Sequence, residues 1–159
     1  MAVDYFLKID GIDGESRDDK HKDWIEVLSF SWATSPGGTT GGGASRERTT
    51  HHDFQIVKSM DKASPLLAMA SCDGKSPGQA MFVARTAGKD QQEYLKIKLT
   101  DILISSYNTT GSGDDKPLET VSLNFAKAEM TYAPQKPDGT LGPFVPGVCE
   151  PKTRNPNGT

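Results

Sequence analysis

The segment Glu93 to Leu99 (E-Y-L-K-I-K-L) puts Leu95, Ile97 and Leu99 on one side of an extended chain and Tyr94, Lys96 and Lys98 on the other. A period of two belongs to a half-buried strand, whereas a helix would scatter those leucines around its circumference. The pattern recurs along the chain. Val3, Tyr5, Leu7 and Ile9 alternate with Asp4, Phe6 and Lys8. In Trp24 to Trp32, Trp24, Leu28, Phe30 and Trp32 share one face, which reads as core, and Ile25, Val27, Ser29 and Ser31 share the other. Gln79 to Thr86 and Asp101 to Tyr107 read as further strands, the latter entered through a bend near Thr100. From Leu118 to Tyr132 the apolar phase slips at Phe125–Ala126, as in a strand that turns a barrel corner. Repeated alternation dictates an all-β fold of about seven or eight strands, closed or nearly closed into a barrel.

One helix interrupts the strands. Ser64-Pro65 opens it, Leu66, Met69, Ala70 and Asp73 fall at helical spacing, and Gly74 stops it, giving a helix over about 62–73. Met69 and Cys72 on that helix read as packing residues rather than soft metal ligands. Gly11 to Lys22 is polar and reads as an exposed loop. Ser35 to Ser45 (S-P-G-G-T-T-G-G-G-A-S) can form neither helix nor core strand, because its glycines have no side chain to bury. A loop of that length is unusual for a hairpin and points to a function or to order gained on contact. The barrel domain is therefore assigned to 1–133, with an extended loop over 34–46. The segment 134–159, which carries Pro134, Pro137, Pro143, Pro146, Pro151 and Pro156, reads as an extended arm or tail.

Composition removes several functions. The chain has 159 residues, enough for one domain, and its formal charge of −3 supplies no basic surface for nucleic acid. No window is apolar enough to span a bilayer, and the first residues lack the pattern of a cleavable secretion signal. Cys72 and Cys149 are far apart in sequence and read as reduced thiols. His51-His52-Asp53 is the one cluster that invites chemistry, yet a strand puts His51 and Asp53 on one face and His52 on the other. A zinc site needs three or four converging ligands, and no nucleophile elbow, phosphate loop or metal motif accompanies the cluster. No catalytic, cofactor or metal residue is therefore expected, and the cluster reads as an interface wall. Surplus half-apolar faces, Ile25 with Val27 and Val57 beside Gln55, suggest that the outer walls meet neighbours. A monomeric β-barrel ligand-binding module, or a hydrolase or metalloprotein using the histidine cluster, are the competing classes.

Several segments together resemble the haemolysin-coregulated protein (Hcp) family: M-A-V-D-Y-F-L-K-I, G-E-S-R-D-D-K-H, I-E-V-L-S-F-S-W, S-P-L-L-A-M-A-S-C, Y-L-K-I-K-L-T-D-I-L-I-S-S-Y and V-S-L-N-F-A-K-A-E-M-T-Y-A-P-Q. The likeness runs from Met1 to about Asp138. It implies a β-barrel with one helix that assembles into hexameric rings. The rings stack into the inner tube of a bacterial type VI secretion system, beside its spike and a contracting sheath. Such proteins leave the cytoplasm without a cleavable signal and carry small effector proteins in the pore. The resemblance places Ser31, and with it Ser29, at the lumen. It makes the loop Ser35, Pro36, Gly37, Gly38, Thr39, Thr40, Gly41, Gly42, Gly43 and Ala44 a contact between subunits and between rings. His51, His52 and Asp53 would then lie near a neighbouring subunit.

Overall fold

A computed structural model describes residues 2–34, 53–87 and 91–150. Among them, nine strands and one helix follow in the order β1 (Val3–Ile9), β2 (Ile25–Val27), β3 (Ser29–Trp32), β4 (Phe54–Ser59), α1 (Ser64–Asp73), β5 (Gly78–Thr86), β6 (Glu93–Thr110), β7 (Leu118–Asn124), β8 (Lys127–Tyr132) and β9 (Val145–Cys149). The strand count exceeds the seven or eight read from alternation because two runs that look continuous in sequence are each broken into two strands and β9 is added, while the two runs Glu93–Leu99 and Asp101–Tyr107 merge into β6.

All the pairings are antiparallel, and the hydrogen-bonded order is β2-β1-β5-β6-β7-β4-β3. Its two ends, β2 and β3, are consecutive in the chain, so the polypeptide itself joins them through Leu28, whose N–H donates to the Val57 carbonyl at 2.8 Å. That link curls the sheet around one core. β6 makes the other half of the curl. Its first part pairs with β5 and β8 and its second with β7; the β5 ladder shifts register across Asp101, which has φ 52, and the β7 ladder between Ile104 and Ser106. Two inward positions three apart, Leu99 and Ile102, flank this bulge, which places the bend expected near Thr100 at the next residue and inside one continuous strand. Phe125–Ala126 breaks β7 from β8 where the phase slip lies, and the Ala126 N–H closes the corner on the Thr100 carbonyl at 3.0 Å.

The core is filled by Leu7, Ile25, Phe54, Ile56, Phe82, Ile97, Leu99, Ile102, Val121 and Leu123, all fully buried or nearly so. Tyr5, Phe30, Phe54 and Phe82 form an aromatic group at its centre, with ring centroids 4.6–5.9 Å apart in edge, tilted and stacked contacts. α1 lays Leu67 across one end of this core.

Four expectations are overturned here. Ile25 and Val27 point into the core and Leu28 is 57% exposed, because the chain breaks at Leu28 and a one-residue slip exchanges the faces of a strand. Ile25 and Val27 are therefore no outer wall. Leu66 and Met69 lie on the solvent side of α1 with Cys72, so Met69 and Cys72 do not pack in the core; Leu67 does, with Ala70 beside it. Gly11 to Lys22 is no free loop, since Ile12, Ser16 and His21 are buried in it. Part of the segment read as an arm, Val145–Cys149, returns as strand β9 along β8. Gly74 does end the helix, in a left-handed conformation with its N–H on the Ala70 carbonyl.

Candidate functional site

The residues that face away from the core on β3, β4, β7 and β6 form one surface. Register aligns Ser31 with Gln55, Gln55 with Ser122, and Ser122 with Ser106 across all four strands. The next row runs Ser29, Val57, Thr120 and Asn108. Ser29 and Ser31 are exposed, as are Gln55, Ser106 and Asn108. Half-buried Val57 apart, the face is a wall of hydroxyls and amides, made because most inward positions of the same strands take the apolar residues and leave the small polar ones outside. Asp53 sits at its end. Ser105 Oγ donates to its Oδ2, and Asn124 Nδ2 donates to Oδ1 at 3.1 Å. That carboxylate is held as part of the wall. The other residues expected at the site, Ser35 to Ala44, His51 and His52, lie outside the described residues.

Two ionic networks that alternation alone does not announce lie elsewhere. Lys58 on β4 and Glu119 on β7 are fully buried and paired at 2.7 Å below the start of α1. Asp61 approaches Lys58 Nζ at 2.9 Å, and Ser64 and Tyr107 both donate to Glu119. Burial pushes the Glu119 carboxyl upward, but the hydrogen bonds from Lys58, Ser64 and Tyr107 outweigh it and hold it below its ordinary value. Burial, with the bond to Glu119, pushes the Tyr107 phenol up to about 12. The group links β4, β6, β7 and the helix entry into one unit. The signal was in the sequence: Lys58 continues the inward series Phe54, Ile56, and Glu119 the inward series Leu123, Val121.

The second network docks the segment before β2. Arg85 Nη2 meets Asp18 at 2.7 Å, His21 Nδ1 lies 2.8 Å from the same carboxylate, and His21 Nε2 lies 2.6 Å from Glu93. The Arg85 hydrogen bond, joined by that of His21, holds the Asp18 carboxyl well below the usual carboxylate range. The His21 ring stacks on Phe6 with centroids 4.5 Å apart. Phe6 and Arg85 face outward from β1 and β5, and an apolar ring with a cation on an outer face needs a cover; His21 and Asp18 provide it. Neither network opens onto a cleft with a nucleophile, and among the described residues no three His, Cys, Asp or Glu side chains converge as metal ligands.

Comparison with known proteins decides the relationship. The family model described as "Type VI secretion system effector, Hcp" matches residues 6–132. The chain belongs to the Hcp family. Protein hcp1 of Pseudomonas aeruginosa is 44% identical over 143 residues, which covers 87% of this chain and 88% of that one. Hcp1 from Salmonella typhimurium superposes with a TM-score of 0.76 at 36% identity, covering 94% of this chain and 95% of its own. A type VI secretion system effector from Yersinia pestis superposes with a TM-score of 0.74 at 32% identity, covering 92% and 99%. The curled antiparallel sheet with one helix is accordingly the Hcp fold. The two ionic networks of this Hcp chain tie strands, helix entry and the segment before β2 together.

Proposed function

We propose that this Hcp-family chain is a structural tube subunit of a bacterial type VI secretion system. It closes into hexameric rings that stack and are expelled without a cleavable signal. Small effector proteins travel in the pore, and the spike and sheath of the same apparatus are the remaining partners. The observation that carries the reading is the wall of Ser29, Ser31, Gln55, Ser106 and Asn108 on an Hcp fold. A pore through which folded cargo must enter and leave needs a surface without sticky apolar patches or strong fixed charge, and this face is mostly hydroxyls and amides, with one half-buried valine, Val57, and the hydrogen-bonded Asp53 carboxylate at its end. Ser31 lies at the edge of that wall, facing the lumen. Ser35 to Ala44 serves stacking between rings and contact between subunits, and His51, His52 and Asp53 stand near the neighbour.

Native mass spectrometry of the purified chain tests the reading, with the mass of a hexamer as the expected result. A sharp monomer across micromolar concentrations would overturn it. Ser31→Gln should then leave the rings intact and reduce co-purification of a small effector of the same apparatus, since a long side chain projects into the wall from an exposed site. Undiminished co-purification would remove Ser31 from the lumen.

A further inference from the structure

His21 is held between two carboxylates. The residue is 2% exposed, and both ring nitrogens end on oxygen: Nδ1 lies 2.8 Å from Asp18 Oδ2, and Nε2 lies 2.6 Å from Glu93 Oε1. A neutral imidazole has one N–H and one lone pair, so it can serve only one of two acceptors. The other contact would set a lone pair against a carboxylate oxygen. A proton on one of the carboxyls would fill the gap instead, but imidazole is the stronger base by about two orders of magnitude. Arg85 Nη2, at 2.7 Å, holds Asp18 in its ionised form, and the Lys20 and His21 N–H groups donate to the same carboxylate. Glu93 turns its second oxygen to Lys96 at 3.3 Å. The geometry therefore requires an N–H on each ring nitrogen.

Charge balance points the same way. Among the described residues, the charged groups around the ring are Asp18 from its own segment, Arg85 from β5 with Asp4 of β1 beside it, and Glu93 with Lys96 from β6. Phe6 of β1 lies flat on the ring and Trp24 meets it edge-on at 4.8 Å, and neither brings a charge. Three carboxylates thus stand against Arg85 and Lys96, and an imidazolium supplies the third cation. We propose that His21 is a proton-operated latch that clasps residues 11–24 to the barrel while its ring is the imidazolium and opens when one ring proton leaves. In the docked segment each ring N–H has a carboxylate; in the released segment it has water. Docking and proton binding therefore support each other, so the latch is closed at lower pH and loosens as the pH rises. Opening bares the Phe6 ring and the Arg85 guanidinium stacked on it. The latch lies within one protomer and stands independently of the ring reading.

Hydrogen–deuterium exchange of the full chain, read by mass spectrometry, tests both halves of the latch. Exchange at the imidazole C2 position in the peptide that carries His21 follows the titration of the ring. Amide exchange over residues 11–24, taken as a ratio to β7 so that the direct effect of pH cancels, follows docking. Raising the pH until the ring loses its proton is expected to lower protection of the segment at least about tenfold, the effect of losing one hydrogen bond to a charged group. His21→Gln never carries the charge and should show no such step. Glu93→Gln gives Nε2 a partner that can donate as well as accept, so a neutral ring is tolerated: the segment should stay docked and the step should shrink. Glu93 is partly exposed, so this variant remains readable should His21→Gln fail to fold. Protection that stays constant while the ring titrates overturns the latch, as does a step of parental size in either variant.

Discussion

Replacing Glu119 by Gln is the sharpest perturbation of the framework, because it removes one charge from a fully buried pair and keeps the volume. Lys58 then retains a single anionic partner, Asp61 at 2.9 Å, in place of two. Breaking a buried ion pair by neutralising one member costs about 3–5 kcal/mol, since the other charge is left without compensation. The surviving Asp61 contact puts Glu119→Gln near the lower end, about 3 kcal/mol. Lys58→Met is the harsher change, near the upper end at about 5 kcal/mol, because it strands the Glu119 carboxylate with only the Ser64 and Tyr107 hydroxyls. The two substitutions share partners, so the double variant should be less destabilised than the sum, by about 0.5–3 kcal/mol. Urea unfolding followed by the fluorescence of Trp24 and Trp32, at one fixed protomer concentration, measures all three. The sign with pH follows from the depressed folded value of Glu119. Its contribution is present above the carboxyl value of the unfolded chain and disappears as the pH falls through the lower folded value. Glu119→Gln should therefore flatten the acid limb of the stability curve. A variant within about 0.5 kcal/mol of the parent at neutral pH, an effect no larger than an ordinary surface change, would refute the claim that this knot holds the helix to the barrel.

Other perturbations report on the remaining parts. Gly14→Ala should lower stability by about 1–3 kcal/mol, since a Cβ there would stand 2.5 Å from the Trp24 carbonyl oxygen and 2.6 Å from Ile25 Cα, both backbone; thermal melting measures it. Asp18→Asn removes the partner that Arg85 and His21 share, and should raise hydrogen exchange over residues 11–24 more than over β7. Because the Asp18 carboxyl is also held low, that docking should persist in mild acid and fail only below the ordinary carboxylate range, as exchange measured against pH would register. Shortening Gly37 to Gly43 should reduce the length of stacked tubes in electron micrographs while leaving single rings, and tubes of unchanged length would remove the loop from stacking.

What the sequence made legible divides along strand phase. Where the chain keeps or visibly changes a period of two, the reading and the fold agree: Leu95 to Leu99 line up on one strand, and the slip at Phe125–Ala126 is the corner between β7 and β8. The break at Leu28 was missed although the sequence marks it: I-E-V alternates in one phase and L-S-F-S-W in the other, and the adjacent apolar pair Val27–Leu28 is where the strand leaves β1 for β4. One residue then reverses every side chain before it, which buried Ile25 and Val27. The face of α1 was ambiguous for a related reason: Leu66 and Leu67 are adjacent, and only the core decides which of them it takes. His21 was hidden among charges in a segment that looks solvent-loving, although Phe6 and Arg85 on an outward phase required a cover. Ser29 and Ser31 were assigned to the non-core face, and both are exposed there.

The central claim is a ring whose pore is lined by the β3 face. It is tested most directly by negative-stain images of the Ser31→Cys chain, made in a background where Cys72 and Cys149 are replaced by Ser and labelled with a small maleimide–gold particle. The account predicts rings with gold inside the central hole. Gold on the outer rim, or single protomers with no rings, would contradict it.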